Sequence, residues 1–214
     1  ERAVRQARSD LDNGVVYGTR ERLLKMVNLF DENDHSLLRI EALITLSDAY
    51  LLTRNSAKSY YYATSALALA KQSLLPAALA LAYNQLGNTF FLQGDYTRAV
   101  EQYHIGKTHI SDQQPEQLFF SLLVNTVNGQ IALKDYLGAQ TTLDQATEIV
   151  DRIVDRVTDD QPLNLLTLGH LFASVIELRN IQSQPLLKKA QALVQTALQQ
   201  AKTKKDRLAQ SLAA

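Results

Sequence analysis

Along most of the chain, apolar residues recur at alternating intervals of three and four, the period of an α-helix buried along one side. Leu79, Tyr83, Leu86 and Phe90 form one such stripe, and Tyr96, Ala99, Val100, Tyr103 and Ile110 form the next. Gly94-Asp95 interrupts them. Glycine is free to take the left-handed backbone that ends one helix, and aspartate can cap the helix that follows. So short a turn predicts an antiparallel pair. Gly87 and Ala99 are expected where the two backbones approach most closely.

The same reading extends in both directions. Ala3, Val4 and Ala7 mark a short charged helix ending near Asn13-Gly14, which reads as the tail of a cut unit. Thr19 is placed to cap a helix with Leu23, Leu24, Val27 and Phe30 inward, ending in the polar cluster Asp31 to Asp34. From Ser36 a helix carries Ile40, Leu43, Leu46 and Tyr50, and its partner, about 57–72, carries Ala63, Ala66, Leu67 and Ala70. Tyr60, Tyr61 and Tyr62 cannot all face one way, because successive helical residues turn by about 100°, so at least one should be exposed. Downstream, Phe119, Leu123, Val127 and Ile131 form a stripe, then Ala139, Leu143, Ala146, Val150, Ile153 and Val157, then Leu165, Leu168 and Phe172, and finally Leu187, Ala190, Val194, Ala197 and Ala201. The four prolines, at 76, 115, 162 and 185, each stand where a helix should begin.

Leu43, Leu46, Tyr50 and Asn55 stand forty residues before Tyr83, Leu86, Phe90 and Asp95, and Lys134-Asp135-Tyr136 stands forty after Gly94-Asp95-Tyr96. Tyr83, Leu86-Gly87, Phe90, Ala99 and Tyr103 resemble the W-x2-L-G-x2-Y…A-x3-F pattern of the tetratricopeptide (TPR) family, with Tyr for Trp, Phe for Tyr, Tyr for Phe, and Gly106 where a further Ala is usual. The period of forty exceeds the family's usual thirty-four. The resemblance implies an all-α, right-handed solenoid of antiparallel helical hairpins, with units at about 1–34, 35–74, 75–113, 114–160 and 161–205. Arg207 to Ala214 resembles the opening of another unit, so the chain reads as an excerpt of a longer array. Bacterial caspase-like proteases and transcriptional regulators with long sensor arrays are the kind of parent implied.

Composition narrows the function. The 214 residues carry a formal net charge of zero, which argues against a general nucleic-acid or membrane-surface binder. There is no cysteine, hence no disulfide, thiolate nucleophile or cysteine metal site. No apolar run approaches the length of a membrane span, and a cytoplasmic setting is the expectation. His104 and His109 lie five apart and lack a third ligand, so no metal is expected. Phosphate-binding glycine loops and nucleophile elbows are missing, no cofactor is implied, and the chain does not read as an enzyme. Lys202, Lys204, Lys205 and Arg207, with Lys188 and Lys189 before them, form a basic stretch that suits a solvated helix end and supplies the alternative reading, a nucleic-acid-binding repeat.

One constellation remains. Asp48, Asn88, Asn128 and His170 each follow the small position of a first helix, at spacings of 40, 40 and 42. In the TPR family that place faces the concave groove, and the resemblance implies the same here. Asn84, Gln85, Asn125 and Thr167 are expected neighbours, with Phe91 as an apolar contact. Asn amides suit a peptide backbone because they both donate and accept hydrogen bonds. The family's basic clamp for a terminal carboxylate needs Lys or Arg in this groove, and the positions matched here supply none. The expected function is therefore a protein-interaction scaffold holding a peptide, a helix or a neighbouring domain.

Overall fold

The computed structural model describes residues 1–32, 36–110 and 116–153, with further helical residues between 188 and 202. Among the described residues there is no strand. The helices are α1 (Arg2–Asp12), α2 (Tyr17–Glu32), α3 (Ser36–Leu52), α4 (Ser56–Ser73), α5 (Pro76–Leu92), α6 (Tyr96–Thr108), α7 (Glu116–Ala132) and α8 (Tyr136–Ile153). They fall in two compact units, Glu1–Leu122 and Leu123–Ala214.

A single turn, reused every forty residues, makes the hairpins. Gly14, Arg54, Gly94 and Lys134 all have positive φ, between 55° and 80°. In each turn the left-handed residue donates its N–H to the carbonyl three back, and the next residue reaches the carbonyl five back, as in Arg54 to Leu51 and Asn55 to Tyr50, both 2.9 Å. This pair of bonds satisfies carbonyls that the helix end leaves open. The residue closing the turn then caps the following helix. Asn55 Oδ1 accepts from the Lys58 N–H at 3.1 Å, Asp95 Oδ1 from Arg98 at 3.1 Å, and Asp135 Oδ1 from Gly138 at 3.0 Å. Val15 fills that place in the first turn and has no side-chain acceptor; α2 starts only at Tyr17.

In the first unit α3 packs against α4 and α5, α5 against α6, and α1 against α2 and α3. The first helix, expected as the tail of a cut unit, thus holds the same place relative to α3 that α3 holds relative to α5. Thr19, expected as a cap, instead lies inside α2, fully buried, its Oγ1 accepting from Arg22 at 3.0 Å.

First helices of the hairpins are buried on more than one side. In α5, Leu86 and Phe90 are buried, but Leu79 and Tyr83 are only half-buried, while Ala78, Ala80 and Ala82 are enclosed. A helix sandwiched between its partner and its neighbours has several buried faces, and alanines let them come close. Second helices keep a narrower stripe: α6 buries Ala99, Tyr103 and Gly106. Tyr60 and Tyr61 are exposed, while Tyr62 stacks on Tyr50 with ring centroids 5.4 Å apart. Where closest approach was expected between Gly87 and Ala99, the group over Gly87 is the Tyr103 ring; a Cβ on Gly87 would lie 2.6 Å from Tyr103 Cδ1.

The second unit includes the C-terminal half of α7 and all of α8. Leu123, Val127, Ala139, Leu143 and Ala146 are buried, and Thr142 Oγ1 donates to Gln130 Oε1 at 2.9 Å. In the part of α7 that belongs to the first unit, Phe120 is buried more fully than the expected Phe119. Pro115, Val157, Pro162, Leu165, Leu168, Phe172 and Pro185, and the last stripe of Leu187, Ala190, Val194, Ala197 and Ala201, lie outside the described residues.

Candidate functional site

The helices α1, α3 and α5 lie side by side, and together with Leu118 and Ser121 at the start of α7 they line one cleft. The cleft between them measures about 500 Å³. Its charged lining is Arg8, Asp12 and Asp48, its neutral polar lining Asn84, Gln85, Asn88 and Ser121, and its apolar lining Ile44, Ala77, Leu81 and Leu118. Volume and mixed lining are in the range of small-ligand and peptide pockets. Positions 8, 48 and 88 are related by the forty-residue period, which puts them at the same angular place on successive first helices.

Asp48 is half-buried on the inner wall. Burial pushes its carboxyl up to about 6, against the pull of the Arg8 guanidinium and the Gln85 amide, which favour the ionised form. Gln85 is only 2% exposed and ties the floor of the cleft to the core. Its Nε2 donates to Ser47 Oγ at 3.0 Å, Ser47 shares a hydrogen bond with Ser59 at 2.8 Å, and Ser59 shares another with Thr89 at 2.9 Å. These residues come from α3, α4 and α5, so the network couples two successive hairpins. Ser47 and Ser59 stand forty residues before Gly87 and Ala99. Where the central hairpin meets an aromatic ring with a glycine, the preceding one meets a serine with a serine.

Asn88 faces the cleft but is also part of the frame. Its Oδ1 accepts from the Tyr103 hydroxyl at 3.0 Å, and its Nδ2 points to Gln85 Oε1 at 3.4 Å. Tyr103 is 1% exposed, and burial raises its phenol well above the ordinary value. Asn88 therefore satisfies a hydroxyl that would otherwise be orphaned in the core.

Of the residues expected in a groove, the structure brings Asp48, Asn84 and Asn88 into this cleft, with Gln85 beneath them. Phe91 does not line it; its ring packs edge-on against Tyr96, centroids 5.1 Å apart. Asn125 and Asn128 are half-buried on α7 in the second unit. His170 and Thr167 lie outside the described residues. No Lys or Arg was expected from the positions matched to the groove, yet Arg8 lines the cleft. Subtracting the period from Asp48 gives position 8, so the signal was present, but reading α1 as a remnant hid it. Asp12, one turn further along α1, was missed for the same reason. In the basic C-terminal stretch Lys188 and Lys202 are exposed on helix, and Lys189, Lys204, Lys205 and Arg207 lie outside the described residues.

His109, considered above as half of a metal pair, stacks on Tyr83 with centroids 5.5 Å apart. No helix among the described residues is long and apolar enough to cross a membrane.

No family model matches the sequence, and no curated protein is detectably similar to it. Solved structures do match. The TPR-like repeats of a Podosopora anserina protein described as a kinesin light chain align over 94% of each chain, with a TM-score of 0.63 at 16% identity. A variant form of the same repeats aligns over 95% of each chain with a TM-score of 0.64, also at 16% identity. The apo form of RapI aligns over 95% of this chain and 83% of its own, with a TM-score of 0.65 at 11% identity. At such identities the likeness concerns the fold, which is an all-α, TPR-like helical repeat.

Proposed function

We propose that the chain is a non-catalytic interaction scaffold whose α1–α3–α5 cleft holds a segment of a protein partner. One observation carries this reading: neighbouring first helices present Arg8, Asp48, Asn84 and Asn88 to a common cleft between aliphatic side chains. Such a surface offers hydrogen bonds to a backbone and shallow apolar seats for side chains, the requirements of an extended peptide. The hydrogen-bonded floor beneath it keeps the donors and acceptors in place before anything binds, which reduces the ordering cost of association.

The test fills the cleft. Ala77 is a half-exposed lining residue, so Ala77→Trp occupies the space with little disturbance of the core. A random peptide library selected on the unmodified chain should yield peptides that lose at least tenfold in affinity for Ala77→Trp, with circular dichroism unchanged. Peptides that bind both forms alike would place the interaction elsewhere. Binding to single-stranded RNA that falls steeply with salt would favour the nucleic-acid reading instead.

A further inference from the structure

We propose that this cleft receives the cationic side chain of an arginine or lysine in the partner segment, with Asp48 as its counter-charge. The inference rests on the reading above and gives it a chemistry. Three charged residues line the cleft. Arg8 and Asp12 stand exposed on α1 at the rim, whereas Asp48 lies on the inner wall. Among the described residues Asp48 forms no ion pair; its ionised form is favoured by the Gln85 amide and the field of Arg8, which do not offset its burial. A carboxylate drawn out of water without a paired cation is costly to a fold. Facing an open cleft, it marks a place where the missing charge comes from a ligand.

The surroundings fit the same ligand. The lining has two carboxylates and one guanidinium, so an acidic or phosphorylated segment would meet net repulsion, and a basic one net attraction. Ile44 and Leu81 give the same cleft aliphatic lining, which suits the methylene stem of arginine or lysine while the charged head reaches Asp48. Arg8 opposes a second cation at the rim and so favours a single basic residue over a polybasic tract. The charged groups facing Asp48 are Arg8 and Asp12 from α1; α5 contributes the neutral Asn84, Gln85 and Asn88, and α7 the neutral Ser121.

Two pools of capped hexapeptides test this, identical except for arginine or citrulline at one fixed central position, the remaining positions randomised over uncharged residues. Retention on the immobilised chain is read by mass spectrometry. The arginine pool should be retained at least tenfold better at pH 7.5, and the excess should vanish in Asp48→Asn and in Ala77→Trp. It should shrink about tenfold at pH 5, where most of the Asp48 carboxyl is protonated. Equal retention of both pools, with both lost in Ala77→Trp, would overturn the cation site and leave the groove reading standing. An arginine excess that survives Ala77→Trp or Asp48→Asn would assign the preference to general surface charge and overturn the proposal. Retention of neither pool would overturn both readings.

Discussion

The contact between Gly87 and Tyr103 sets the spacing of α5 and α6, and replacing the glycine measures it. In Gly87→Leu the Cβ alone would lie 2.6 Å from Tyr103 Cδ1 and closer still to Cε1, and three further carbons must be accommodated beyond it. The ring cannot swing aside cheaply, because it is 1% exposed and its hydroxyl is anchored to Asn88 at 3.0 Å. Overpacking of this kind costs roughly 1–3 kcal/mol, and the fixed ring puts the value near the top. Leucine recovers up to about 1 kcal/mol through its better helix propensity, leaving a net loss near 2 kcal/mol. Tyr103→Ala alone removes a large buried ring and should cost about 3–5 kcal/mol. In the double variant the new leucine partly fills the space left by the ring, so the two losses should fall short of additivity by at least about 1 kcal/mol. Urea titrations followed by circular dichroism supply the cycle, with hydrogen exchange on α5 and α6 guarding against unfolding in separate steps, which helical arrays permit. Losses that add to within about 0.5 kcal/mol would show that Gly87 and Tyr103 do not share a contact, and the account of why glycine stands there would fail.

The turn makes reciprocal predictions: Arg54→Gly and Lys134→Gly should each stabilise by up to about 1 kcal/mol, and Gly94→Ala should destabilise by a similar amount, since only glycine takes positive φ without strain. Thermal melts check all three, and a stabilising Gly94→Ala would contradict the turn geometry. Asn55→Ala should cost about 1 kcal/mol by removing the acceptor for the Lys58 N–H. The Asp48 carboxyl, raised to about 6 from 3.8, binds its proton more tightly in the folded chain, so its penalty is absent below about pH 4 and complete above about pH 6. Asp48→Asn should therefore stabilise by on the order of 1–2 kcal/mol at neutral pH, after allowance for the open cleft, and have little effect at pH 4, as read from melts at the two pH values. Asp95 has the opposite sign: its bonds to the Arg98 N–H and guanidinium hold its carboxyl low, so the stabilisation it gives persists above its ordinary range and is lost as pH falls through the lowered value. An Asp95→Asn melt profile that keeps the wild-type loss at low pH would exclude that contribution.

The helical period, the forty-residue repeat and the turn were determined by the sequence alone, because each depends on local chemistry: stripe spacing, a residue at positive φ, and a capping oxygen next to it. Pro76 at the start of α5 and the caps at Asn55, Asp95 and Asp135 are of this kind. Tertiary structure decided what each face meets. Nothing local says that α5 is enclosed by neighbours, so that Ala78, Ala80 and Ala82 become core while Leu79 and Tyr83 keep part of their surface. Nor does spacing say that Ser47 and Ser59 meet each other, or that Asn88 must satisfy Tyr103. The candidate site divides in the same way. Periodicity put Asp48 and Asn88 on one line, with Asn84 one turn before Asn88, since equal angular positions on stacked helices recur with the repeat. That Asp48 is partly withdrawn from water, with the Arg8 and Asp12 charges acting on it, follows only once α1 is packed against α3, because burial and opposing charge belong to the assembled neighbours and not to any one segment.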